Sequence, residues 1–134
     1  MCLHNAVRIN TEKNIICYKL FWKDGNTLYS LYRNSPYKLN VTRSTRTKTP
    51  KLYCLEFEGE KIYCIHESAF HSFANYGDIK EFKDKNYKGS SVIVKCIIPK
   101  NSEYIYEGTY AGVKSYASQK LKPIEIIEQS ISED

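Results

Sequence analysis

Polar and apolar residues alternate with a period of two along much of the chain, which is the pattern of β-strands with one buried face. Residues 15–22 and 27–32 are rich in β-branched and aromatic side chains, and Asp24 and Gly25 stand between them. Asp-Gly supplies the positive φ angles of a tight turn. We therefore predict a β-hairpin at this point of the chain.

Five more segments carry strand patterns. Gly59 separates the first two of them, which predicts a second hairpin. Gly108 predicts a β-bulge, and Pro123 predicts an edge position or a strand that begins after it, because proline cannot donate to a ladder. The five segments are residues 52–57, 61–65, 91–98, 104–110 and 121–127.

Only one stretch favours a helix. Asp78 is a good N-cap residue, and Ile79 and Phe82 follow it at the spacing of one helical face. The pattern predicts about two turns. About seven strands with one short helix indicate an α+β domain, dominated by strands in a mainly antiparallel sheet.

Length and composition fit one domain over residues 1–134. The chain has 134 residues, of which 42% are hydrophobic, enough to build a single core. Its apolar runs are pairs and triplets, far below the roughly 20 residues of a membrane-spanning helix, so we expect no membrane association. Glu12 and Asp24 interrupt the first 24 residues, and no secretory signal is expected there.

Positive charge is concentrated in one part of the chain. The formal net charge is +5, while residues 25–55 contain no acidic side chain. Residues 40–51 have the polar composition of an exposed basic loop, and residues 129–134 form an acidic tail. The loop suits an anionic partner, or its charges only keep the protein soluble. The candidate anion-binding or partner-binding residues are Arg43, Arg46, Lys48 and Lys51.

Loop charges of this kind contribute little to stability. Replacing Arg43 and Arg46 by alanine is therefore expected to weaken partner binding and its salt dependence, with little change in the free energy of unfolding.

The cysteines predict free thiols in a reducing compartment. Their number is odd and no two of them form a Cys-x-x-Cys pair. Those in apolar runs are expected to pack as small core residues. The five are Cys2, Cys17, Cys54, Cys64 and Cys96.

Tyrosine is unusually frequent, with 12 residues. Tyrosine packs well on half-buried sheets, which explains its presence in strands. The alternative is an aromatic surface that stacks against bases or a protein partner.

Two combinations of cysteine and histidine are candidates for a reactive site. Cys54, Cys64, His66 and His71 could in principle bind zinc, but their spacing is not that of a zinc finger, and we expect no metal. Cys64 and His71 could form a nucleophile pair, although no oxyanion-binding turn is nearby. A structural role for His71, bonded to the backbone, is the favoured alternative. The common phosphate-binding and hydrolase motifs are absent from the sequence.

An ordered set of short strings resembles a group of small proteins of bacteriophages and gut-bacterial prophages. The strings are CYKL, LYSLY, PYKLN, the motif Cys-x-x-x-Ser-x-Phe-His that ends at His71, VIVKCIIP and YASQKLKPIEII. They cover roughly residues 15–128. The resemblance implies no particular activity. It implies a phage-type protein located in the host cytoplasm or in the virion.

These features lead to three hypotheses about function. The leading hypothesis is a non-catalytic phage accessory protein that binds a protein, either a host defence component or a virion protein. A second is an ADP-ribosyltransferase-like enzyme that binds NAD, and a third is a nucleic-acid-binding protein that uses the basic loop. Only the second hypothesis has a cofactor, NAD, and its candidate catalytic residues are His71, Glu107, Tyr116 and Ser118. The oligomeric state is left open.

Overall fold

The computed structural model describes residues 3–31, 36–45, 52–65, 69–87, 89 and 91–129. Within these ranges there are twelve strands and one helix. The elements are β1 (His4–Arg8), β2 (Ile15–Asp24), β3 (Thr27–Ser30), β4 (Pro36–Tyr37), β5 (Arg43–Ser44), β6 (Leu52–Phe57), β7 (Glu60–Ile65), β8 (Phe70–Phe73), α1 (Tyr76–Asn86), β9 (Ser91–Ile98), β10 (Ile105–Tyr110), β11 (Val113–Ser118) and β12 (Lys120–Gln129).

The fold is strand-dominated and antiparallel, and it belongs to the α+β class as predicted. The prediction of about seven strands is wrong, because the main sheet alone has ten strands in the described residues. Eight of them follow the order β1-β10-β11-β8-β2-β9-β12-β5, and β3 and β4 extend from β2. The β6–β7 hairpin forms a separate two-stranded sheet.

The main sheet curls around its largest core. β11 and β12 are separated only by Gln119, so they are one long segment that changes partner at this residue. Its first half pairs with β8 and its second half pairs with β9, while β8 and β9 both pair with β2. The strands therefore enclose an interior, which is filled by side chains from β2, β3, β4, β9, β10, β11 and β12.

Both predicted hairpins form at the predicted turns. β2 and β3 are joined by Gly25 and Asn26, and Gly25 has a φ of 60°. β6 and β7 are joined by Glu58 and Gly59, with φ values of 51° and 82°. Two-residue hairpin loops require such angles because their twist then matches that of the strands.

The helix is longer than predicted and begins earlier. Asn75 rather than Asp78 is the N-cap residue, and α1 has 11 residues. Asp78 lies in the first turn, where its carboxylate is 3.2 Å from the Asn75 side-chain amide that donates to it. Its negative charge is favourable there because the helix dipole is positive at this end. Ile79 packs on the outer face of the sheet against Leu20, Phe73 and Ile93.

The bulge predicted at Gly108 lies in the neighbouring strand instead. Gly108 pairs regularly with Ser115, whereas the β1–β10 register shifts between His4 and Val7. A Cβ atom at Gly108 would lie 2.3 Å from the His4 carbonyl oxygen. The glycine is therefore required by the close approach of the bulged β1 backbone.

Pro123 lies inside its strand and not before it. On one side it is opposite Cys96, and on the other its carbonyl accepts a hydrogen bond of 2.7 Å from the Asn40 N–H. Within β12, only Lys120 and Leu121 pair with β5. Among the described strands, none pairs with the remaining residues of β12 on that side, so Pro123 lies at a sheet edge as predicted.

Candidate functional site

Residues 36–45, here called the basic segment, are held to the sheet at both ends. Tyr37 is buried in the main core, with its ring centroid 4.9 Å from that of Phe21. β4 pairs with β3, and β5 pairs with β12. The Asn40 N–H adds the bond to Pro123 in the middle of the segment. Residues 38–42 are exposed between these attachments.

Two apolar side chains of the basic segment lie on the surface. Leu39 is 38% exposed and Val41 is 49% exposed. Lys38 is exposed beside them, and the sequence has no acidic residue between positions 25 and 55. The outer surface of the segment is thus both apolar and positively charged.

The described part of the predicted exposed loop at residues 40–51 ends at Thr45, and it is not exposed throughout. Arg43 and Ser44 form β5, and the Arg43 side chain is half-buried. Its guanidinium carbon lies 4.6 Å from the centre of the Tyr37 ring, and the guanidinium donates a hydrogen bond to the Pro36 carbonyl. Arg43 therefore connects β5 to β4, and the expectation that its loss leaves stability unchanged needs correction. The remaining predicted anion-binding residues, Arg46, Lys48 and Lys51, lie outside the described residues, as do residues 130–134 of the acidic tail.

The residues proposed for NAD chemistry do not share one face of the sheet. Glu107 is opposite Tyr116, and Ser118 lies two positions further along the same strand. His71 is paired with Ala117, so it projects from the other face. Glu107 is also 3.5 Å from the Lys114 ammonium, and burial raises the pKa of Tyr116.

The cysteine and histidine residues considered for zinc or nucleophilic chemistry are only partly described. Cys54 is exposed on β6 and is opposite Tyr63. Cys64 is opposite Tyr53 in the same ladder, and its side chain lies outside the described residues, as does His66. In the part of the chain that the structure describes, no three metal-ligating side chains come together.

The tyrosines that the structure describes pack mainly within the fold. Tyr37, Tyr104, Tyr106 and Tyr116 are buried, and burial raises the pKa of Tyr104 to about 12. Tyr76 is 37% exposed. This distribution favours strand packing over an extended stacking surface.

Lys19 is unusual because its charged side chain is partly buried. It lies on the face of β2 that also carries Cys17 and Phe21. Its ammonium nitrogen donates a hydrogen bond of 2.7 Å to the His71 carbonyl oxygen. Lys19 lies between Tyr18, where β2 pairs with β8, and Phe21, where the pairing of β2 with β3 begins. Burial lowers the pKa of Lys19 to about 8. The bond to a carbonyl satisfies a donor but does not neutralise the charge.

A small cavity adjoins Lys19. It is lined by Lys19 and His71 together with apolar side chains of β2, β8 and α1, and its volume is about 20 Å³. A space of this size holds about one water molecule. It is therefore much too small for a dinucleotide.

Comparison with protein-family models, with curated proteins and with solved structures gives no match for this chain. Among the described residues, no helix is long and apolar enough to cross a membrane.

Sequence reasoning missed the most informative residues of β2 and of the basic segment. The alternation of Cys17, Lys19 and Phe21 places a lysine at an inward position, and this signal was available. Leu39 and Val41 are isolated within a polar stretch, and only the tertiary attachments of the segment show that they lie on its outer surface.

Proposed function

We propose that the protein is a non-catalytic accessory protein of phage type that binds a protein partner through the exposed part of the basic segment. The partner is a host defence component or a virion protein with an acidic, partly apolar surface. The observation that supports this most is the display of Leu39 and Val41 on a positively charged segment held at both ends.

The attachment of the segment favours recognition. The bond from Asn40 to Pro123 and the packing of Tyr37 restrict residues 38–42 before a partner arrives. A restrained segment loses less conformational entropy on binding than a free loop. Burial of the exposed Leu39 and Val41 side chains against the partner then makes the free energy of binding more favourable, and Lys38 favours an acidic surface on the partner.

The two alternatives have less support from the described residues. Phosphate recognition needs several free cationic groups, whereas Arg43 is engaged with Tyr37 and Pro36. The NAD hypothesis needs His71 beside Glu107 and Tyr116, and these residues project from different faces.

A comparative capture experiment tests the proposal. The full chain is immobilised and exposed to host lysate as wild type, as the Leu39→Ser/Val41→Ser double variant and as Val7→Ser, a control in which another exposed apolar residue is changed. We expect a protein that is retained by wild type and Val7→Ser, is reduced about tenfold by the double variant, and is released between about 0.05 and 0.5 M salt.

Two results contradict the proposal. Equal capture by all three proteins would remove the basic segment from the interaction. Capture that disappears after nuclease treatment would favour the nucleic-acid hypothesis.

A further inference from the structure

A groove lies between α1 and the turn that joins β10 to β11. Its volume is about 300 Å³, at the lower end of the range of small-molecule binding sites. Ala111 and Gly112 form the turn, with φ values of 53° and 80°. Two-residue turns of this kind have a defined geometry, so this wall of the groove is held in place. The groove contains no residue of the basic segment and none of the residues proposed for NAD chemistry.

The apolar side of the groove is built from two phenylalanines and a valine. Phe73 is buried, and its ring centroid is 5.2 Å from that of Phe82, which is half-buried. The Phe82 ring is also 5.6 Å from the Tyr110 ring, and Val113 packs against the same cluster. These contacts hold Phe82 in position, and its accessible part borders the groove. An apolar ligand can be buried here, and an aromatic ring also attracts a cation.

The polar side of the groove carries one negative charge that is not compensated. Asp78, Glu81 and Lys85 line it from α1. Glu81 and Lys85 neutralise each other, because the lysine ammonium donates a hydrogen bond of 2.8 Å to the glutamate carboxylate. Asp78 is half-buried and accepts a bond from the Asn75 side-chain amide, which is neutral. Among the described residues, no cationic group forms an ion pair with Asp78.

We propose that this groove is a binding site for a small organic amine. The aromatic or aliphatic body of the amine packs on Phe82 and Val113, and its ammonium group is bound by the Asp78 carboxylate. The Asn75 amide contacts only one Asp78 oxygen, Oδ2, so the other oxygen can accept a hydrogen bond from the ligand. A carboxylate that is half-buried beside apolar side chains attracts a cation more strongly than one in bulk water.

The same arrangement disfavours an anionic ligand. Lys85 is the cationic side chain among the described residues that line the groove, and it is already engaged with Glu81. An anion would have to separate this pair and would also be repelled by Asp78. The charge of the lining therefore selects an amine over a carboxylate of similar size.

Nuclear magnetic resonance of the isotope-labelled full chain tests the site. The protein is titrated with phenethylamine, and separately with phenethyl alcohol and phenylacetate, which present the same ring with a neutral and an anionic group. We expect phenethylamine to shift backbone amide signals of α1 and of residues 111–113, with a dissociation constant below about 1 mM. The alcohol and the carboxylate are expected to bind at least about threefold more weakly.

Two variants of α1 test the part that Asp78 plays. Asp78→Asn keeps the shape of the side chain and should weaken phenethylamine binding about threefold, to the level of the alcohol. Asp84→Asn is the matched control, because it removes the same charge from α1 at an exposed position that pairs with Lys80 and does not line the groove. We expect it to bind phenethylamine as wild type does.

Three results would overturn the proposal. The first is an absence of amide shifts at the groove up to about 10 mM phenethylamine, well above the expected dissociation constant. The second is binding of phenylacetate as tight as that of phenethylamine. The third is an equal loss of affinity in both variants, since the overall charge of the helix would then attract the amine. The measurement does not involve the basic segment, so its result is independent of the proposed function.

Discussion

The β2–β9 ladder and the basic segment are constructed in opposite ways. β2 and β9 are joined by eight consecutive register pairs, from Ile15 and Ile98 to Trp22 and Ser91. The two short strands of the basic segment each make two register pairs with their neighbours. The ladder contributes buried side chains to a core on each of its two faces, whereas residues 38–42 are exposed.

This difference separates stability from recognition. Burial of apolar side chains is the main favourable term in folding, so the ladder and the core around it should carry most of the stability. Exposed residues of an anchored segment contribute little to folding. They are free to change without unfolding the protein, and their surface is available to a partner.

The largest effect is expected at the centre of the core. Phe21 is fully buried, and Phe21→Ala should lower the free energy of unfolding by about 3 to 5 kcal/mol. Leu39→Ala, at an exposed position, should change it by less than about 0.5 kcal/mol. Urea denaturation of both variants gives the two values. Similar losses at the two positions would remove the distinction between the regions.

The next largest effect is the pH dependence of the stability that Lys19 contributes. Its pKa is about 8 in the folded protein, below its ordinary value of 10.5. Between these values the unfolded chain binds more protons than the folded one, so the stability that Lys19 contributes rises with pH. Wild type should therefore gain up to about 3 kcal/mol relative to Lys19→Met between pH 7 and about 10.5.

Urea denaturation of wild type and Lys19→Met across this pH range measures the gain. Subtracting the variant removes the contribution of other titrating groups. A difference that stays constant with pH would show that Lys19 titrates at its ordinary value.

An intermediate effect is expected at His71. Its side chain is 5% exposed and lines the small cavity with Phe73 and Phe82, and His71→Ala should cost about 1 to 3 kcal/mol because the truncation enlarges this cavity. Millimolar NAD should leave the melting temperature of both proteins unchanged. If NAD raised the melting temperature of wild type but not of the variant, the NAD-binding hypothesis would replace the binding-protein proposal.

The smallest effect is expected at the attachment of the basic segment. Arg43→Ala removes the contact with the Tyr37 ring and the bond to the Pro36 carbonyl, at a cost of about 1 kcal/mol. Lys38→Ala, at an exposed position of the same segment, is the matched control. Thermal melts that give the same small change for both would mean that Arg43 does not hold the segment in solution.

The sequence predicts elements well where local signals are strong. β9 has its predicted bounds, because its apolar run ends at Pro99. The two hairpins are predicted because Gly25 and Gly59 determine their turns. β8 and β11 were missed, since their short sequences are rich in polar or small residues and they become strands through pairing with neighbours.

The candidate sites depend on tertiary geometry that periodicity does not contain. Alternation within one strand cannot show that His71 is paired with Ala117 and thus lies on the face opposite Tyr116. Likewise, composition makes residues 40–51 an exposed basic loop, but does not reveal that Arg43 packs on Tyr37. Register and long-range packing decide both cases.

The most direct test of the central claim is site-specific photo-crosslinking in host lysate. A photoreactive amino acid replaces Leu39 in one protein and Val7, which is 64% exposed on β1, in the other. The account predicts that the protein partner crosslinks to position 39 and not to position 7, and that added salt reduces the yield. Crosslinking of the same partner at position 7 alone would contradict it.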